Sequence, residues 1–208
     1  MKPSFVKWAG ALALTLAASI SGSDFAAAQQ PPVRVRGTIE KVDGSTLTVK
    51  ARDGAMLTIK LADNFRVLGL IKIALADIKS GAYVGVSALP QPGGGLRALH
   101  VHRFLDAMRG VAEGHQPYDL GPQSTMTNAT VAEVAAISGG QTLVLKYKDG
   151  EQKVFVGPDT PIVSYVPGDK SELKPGVHIM IFAAMKQPDG TFSTAGVTVG
   201  RDGLVPPM

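Results

Sequence analysis

The chain has no cysteine, a single tryptophan and few aromatic residues (6%), and only 18% of its 208 residues are charged. Without cysteine there is no disulfide framework, no thiolate-ligated metal and no thiol for lipid attachment. Low charge combined with 45% hydrophobic residues excludes a disordered chain. The shortage of aromatics and a formal net charge of only +4 leave no basic, aromatic-lined surface of the kind nucleic acid requires. Beyond the N-terminus a long apolar run is also lacking. The best later candidate, Gly176 to Met185, carries His178 and falls well short of the roughly 20 residues that span a bilayer, so it is expected to be a buried strand. What the chain does have is turn formers: 24 glycines and 14 prolines suit many short strands better than a helical bundle.

Lys2 and Lys7, the apolar stretch from Trp8 to Ile20, and Ala26-Ala27-Ala28 ahead of Gln29 follow the three-part pattern of a secretory signal peptide. Cleavage is expected after Ala28, giving an exported, periplasmic protein. It removes Lys2, Lys7 and Asp24, one unit of the net charge. In an oxidising compartment a chain without disulfides must rest on core burial and hydrogen bonds alone.

Two segments share one order of features. Gly37 to Gly54 resembles Ala129 to Gly150, each with a Thr-Ile/Val opening, a Leu-centred strand and a closing Asp-Gly. Ile78-Lys-Ser-Gly-Ala-Tyr-Val84 resembles Leu173-Lys-Pro-Gly-Val-His-Ile179, and Gly95 to Val101 is followed by its counterpart at Gly190 to Val197. Such recurrence marks two copies of one supersecondary unit. Within a copy the apolar period is two, as at Leu47, Val49 and Ala51 and again at Leu57, Ile59 and Leu61, which signals half-buried strands. Asp43-Gly44 and Asp53-Gly54 supply hairpin turns. Spacings of three and four across residues 64–80 predict a short crossing helix, although its counterpart contains Pro161, Pro167 and Gly168.

Five strands per copy predict a mainly β fold of two tandem five-stranded, OB-like small barrels. The expected boundaries are a signal peptide at 1–28, repeat 1 at 33–104, an inter-repeat loop at 105–127, repeat 2 at 128–201 and a C-terminal tail at 202–208. The pattern G-T-V-x-x-V-D-G-x-x-L-T-V, then L-x-x-G-x-x-V-x-V, then D-G-x-L-x-A-x-x-V resembles an exported bacterial domain-of-unknown-function family of small β-barrel repeats. It falls at Gly37 to Val49, Ile78 to Val86 and Gly94 to Val101, and again at Thr130 to Leu145, Leu173 to Ile181 and Asp189 to Val197. The second copy departs from it at Ala129 and in the Ala-Ala-Ile-Ser-Gly-Gly turn. The resemblance implies export and fold, and no catalytic residues.

His100 and His102 stand at i and i+2 on a strand and project from one face. Leu99 and Val101 align with the apolar Ala195 and Val197, so both histidines are expected to point outward into solvent. The following segment brings Met108, His115 and Met126. Imidazole and thioether together favour copper, so His100, His102, His115, Met108 and Met126 form the candidate metal set, with copper the implied cofactor. His178 is expected to be a satisfied, half-buried strand residue. Asp106, Glu113 and Asp119 could pair as carboxylates, but no nucleophile, base and orienting group can be placed together, and Ser124 to Thr127 lies in no G-x-S-x-G elbow. The sequence therefore favours a non-enzymatic binding or accessory module that meets an envelope protein or a ligand. A copper-binding protein is the first alternative and an enzyme of unknown type the second.

Overall fold

A computed structural model describes residues 31–208; the segment expected to be a signal peptide, 1–28, lies outside the described residues. Local sequence sets the first strands. In β2 (Thr46–Ala51) Leu47 and Val49 are fully buried while Lys50 faces out. The turn between β1 (Val33–Asp43) and β2 places Gly44 at φ 56°, and the turn into β3 (Met56–Lys72) places Gly54 at φ 88°, left-handed conformations that glycine adopts freely. The remaining strands are β4 (Tyr83–Pro90), β5 (Leu96–Arg103), β6 (Gly114–Pro117), β7 (Thr125–Ile137), β8 (Gly140–Tyr147), β9 (Gly150–Val156), β10 (Ile162–Pro167), β11 (His178–Lys186) and β12 (Phe192–Gly200). The fold is mainly β, as expected, and the run from Gly176 to Met185 is largely the strand β11.

The strands close into five-membered rings, but not along the expected boundaries. One ring takes β4, β5, β7, β8 and β9, all between residues 83 and 156, with β5 and β9 parallel and every other pair antiparallel. The other takes β1, β2 and β3 from the segment 33–104 and β11 and β12 from the segment 128–201, with β3 and β12 parallel. Both keep the strand order of an OB-like barrel. The segments 33–104 and 128–201 thus do not each close on themselves: their last two strands are exchanged, and the inner ring is inserted into the sequence of the outer. Pattern alone cannot distinguish these closures, because a three-stranded meander offers the same two edges to either closing pair.

The connection that decides it is β3, whose 17 residues outrun one barrel. Its first part pairs with β2, and Leu68 to Lys72 pair with β10, which lies parallel to β5 and so joins the rings. The helix expected over 64–80 is consequently absent. Arg66 to Leu70 already have β12 on one edge, and Val67, Ile71 and Ile73 are β-branched residues that favour the extended state. Only a three-residue 3-10 turn, Leu75–Asp77, follows.

Three apolar clusters result. Leu143, Leu145, Val101 and Val86 fill the inner ring, and Ile39, Leu47, Ile59 and Ile179 fill the outer. Between the rings lies a third, of Leu70, Tyr83, Phe104, Tyr165, Met180 and Met208. The tail is docked: Met208 is fully buried and Arg36 Nε donates to its carbonyl at 2.7 Å. Among the described residues no helix is long and apolar enough to cross a membrane.

Candidate functional site

Strand alternation on β5 sends Val101 into the inner-ring core and turns His100 and His102 outward, as the sequence implies. They are not solvated, however: His100 is 0% and His102 3% exposed. The outer face of this barrel is an interface between rings, where Val163 of β10 pairs with His102 and Phe104 and Tyr165 of the third cluster pack against the His102 ring. His102 stands edge-on to Phe104 and Tyr165, with ring centroids at 4.8 and 5.5 Å. Its Nδ1 is 3.3 Å from His100 Nε2, a hydrogen bond between the two rings. Burial pushes His100 down to about 3, helped by the nearby positive charge of Arg36. Burial, and then the neighbouring His100, hold His102 well below the ordinary imidazole value. Both are neutral imidazoles at any ordinary pH.

His102 lines a cavity of about 330 Å³, within the size range of small-molecule sites. The inner ring supplies His102, Met126 and Asn128, the outer ring Leu68, Phe182 and Thr198, and Phe104 and Tyr165 flank them. Its roof is the inter-repeat segment. There β6 pairs with Thr125 to Asn128, so residues 105–127 contain a strand rather than loop alone, and Met108 and Tyr118 from the same segment reach the cavity. Tyr118 and Asp119 are gripped from β1: Arg36 makes a bidentate pair with Asp119 at 2.9 and 2.6 Å, and the Arg34 guanidinium lies 4.8 Å from the Tyr118 ring centre. The hydrogen bonds from Arg36 hold the Asp119 carboxyl below its ordinary value. The roof is therefore fastened to both rings.

Buried polar atoms normally find partners, so exceptions are informative. Among the described residues five buried side-chain atoms have none: Tyr118 Oη and Asn128 Oδ1 belong to residues that line the cavity, Ser87 Oγ and His100 Nδ1 to residues beside it in the sheet, and Gln141 Oε1 lies elsewhere. Ser87 stands opposite both His100 and Met126 in the sheet. A larger groove of about 540 Å³ on the outer ring, beside Phe182 and Met185, holds none of these atoms.

Of the five residues expected to bind metal, the structure brings His102, Met108 and Met126 to one cavity. His100 lies behind His102. His115 does not converge with them: it pairs with Thr127, which pairs with Val86, which pairs with Val101, so it shares the opposite face of the sheet. Its ring Nδ1 is 2.8 Å from Thr127 Oγ1. Among the described residues no group of three or more His, Asp or Glu could hold a metal ion. His178, as expected, is partly buried and bonded through Nδ1 to Thr38 Oγ1 at 2.9 Å.

Gly85 and Asn128 are the residues that pattern reading passed over. Gly85 sits between Asn128 and His102 in the sheet, and a Cβ there would collide with the His102 ring and lie 2.6 Å from Asn128 Oδ1. Glycine inside a strand is a signal of close approach, and the segment aligned with it carries Met180 at this position. Compared with protein-family models, curated proteins and solved structures, the chain matches none.

Proposed function

We propose that this protein is a non-enzymatic, exported binding module whose ligand occupies the cavity between the two barrels. The observation that carries the proposal is an apolar, aromatic-walled cavity whose lining residues include two with an unpartnered buried polar atom, Tyr118 Oη and Asn128 Oδ1. A volume of about 330 Å³ under a fastened roof suits a small organic molecule rather than a segment of an envelope protein. Export to the periplasm is supported by the tripartite N-terminal sequence, and the duplicated unit by the order of its strand and turn motifs. The test is an amide-resolved NMR titration of the purified protein with toluene, indole and phenol. Saturable shifts centred on His102, Met126 and Thr198 are expected, and no saturable shift from any of the three would refute it.

Copper binding is a second reading, favoured by the meeting of His102, Met108 and Met126 at one cavity. Neutral imidazole and thioether sulfur are donors suited to Cu(I). A competition titration with Cu(I) should then show one-to-one binding that is lost in His102→Phe and in Met126→Leu. Binding that survives both substitutions excludes this site.

A further inference from the structure

Asn128 and His102, both lining the cavity, have a directional chemistry. Asn128 Nδ2 donates to the carbonyls of Val111 and Ala112, at 3.4 and 3.2 Å, which fixes the amide orientation. Its Oδ1 therefore turns towards Gly85, buried and without a partner. That atom is an acceptor only.

His102 is oriented by its neighbour. The His100–His102 bond allows two proton arrangements. If His102 Nδ1 donated, His100 would carry its own proton on Nδ1, a buried N–H with no acceptor, in the field of Arg36. Orphaned N–H groups are among the rarest and costliest features of a protein interior. The reverse arrangement leaves a lone pair on His100 Nδ1, which the positive charge of Arg36 favours, and places the His100 proton on Nε2, donating to His102 Nδ1. His102 then carries its proton on Nε2, the nitrogen that overhangs Gly85 beside Asn128 Oδ1. One donor and one acceptor thus stand side by side above the only residue type that leaves room for them, with Phe104 and Tyr165 flanking and Met126 opposite.

We propose that the cavity selects a neutral hydroxyarene, a phenol-like ring whose hydroxyl accepts from His102 Nε2–H and donates to Asn128 Oδ1 while the ring packs among Phe104, Tyr165 and Met126. It rests on the cavity-binding function proposed above and gives that function a ligand class. A hydroxyl is the smallest group that answers both atoms at once. An ether can accept but cannot donate, and a hydrocarbon does neither, so each leaves a buried polar atom unanswered.

The experiment compares phenol, anisole and toluene by NMR titration of the purified protein, at pH 8 and at pH 5, with His102→Phe as the protein-side control. Phenol is expected to bind at least about tenfold more tightly than either analogue, as one or two neutral hydrogen bonds imply. That preference should be the same at both pH values, because His102 stays neutral, and it should vanish in His102→Phe. Equal binding of the three probes overturns the hydroxyarene assignment and leaves the cavity-binding function standing. Absence of binding by all three, with indole silent as well, overturns both. Should His102→Phe fail to fold, the phenol-to-anisole ratio on the unaltered protein decides alone.

Discussion

Lowering the pH from 7 to 5 is expected to remove about 4 kcal/mol of folding stability through His100 and His102. The unfolded imidazoles titrate near 6.5, whereas burial holds folded His100 at about 3 and His102 well below the ordinary value. A depressed folded value means that the unfolded chain binds protons the folded chain refuses. Stability is therefore fully present above about pH 6.5 and is lost as pH falls towards the folded values. Between pH 7 and 5 each histidine contributes a loss of about 2 kcal/mol, and near pH 5.5 the pair gives a slope of about 2–3 kcal/mol per pH unit. His115, lowered by its partial burial, adds in the same direction. The carboxyls of Asp119 and Glu172 are also depressed, but their loss falls at lower pH, as unfolded carboxyls take up protons. Urea denaturation at pH 7, 6, 5.5 and 5, followed by circular dichroism, measures the slope. The variant His100→Leu/His102→Phe should flatten it. A variant slope equal to that of the parent, or a total loss below about 1 kcal/mol, would show that the imidazoles are not held neutral in the fold.

Three further outcomes follow from the packing. Gly85→Ala forces a Cβ against the His102 ring and Asn128 Oδ1, which should cost about 1–3 kcal/mol in chemical denaturation and abolish phenol binding; unchanged stability and binding would mean that the two side chains are free to move aside. Leu143→Ala in the inner ring and Ile179→Ala in the outer should each cost about 2–5 kcal/mol and each shift one common unfolding transition, since β3 and β10 tie the rings together; two separable transitions in calorimetry would contradict this. Asp119→Asn weakens the grip of Arg36 on the roof, with a global cost of about 1 kcal/mol or less because Asp119 is partly exposed; amide exchange across residues 111–120 should quicken, and unchanged protection there would mean that the Arg36–Asp119 pair does not hold the roof.

The strands were largely legible because period-two patterning and Asp-Gly turns are local properties. Leu47 and Val49 declare their face without reference to anything distant, and the turn at Gly44 follows from the dipeptide that makes it. The stretch around Val67 and Leu70 misled because spacings of three and four also fit a strand buried from more than one side, and only β10 and β12 reveal that environment. Exchange of the closing strands was invisible for a similar reason, since both candidate pairs carry the same motifs. At the site, the outward direction of His100 and His102 was readable from the alignment with Ala195 and Val197, but their burial was not, because it depends on a neighbouring ring brought there by β3. Asn128 carries no period of its own, and its unpartnered oxygen belongs to tertiary packing that no spacing rule encodes.

The nesting of one barrel within the sequence of the other also dictates an order of assembly. A chain that appears from its N-terminus has every strand of the inner ring once Val156 has emerged, so that ring can close on local material. The first three strands made must instead wait, with an open edge, until residues 192–200 arrive to pair with β3. Pairings of such long range form slowly and leave an unpaired edge available to other chains in the meantime. The earliest part of the polypeptide is thus the last to be locked, and the cavity, which needs walls from both rings, is the final thing to exist.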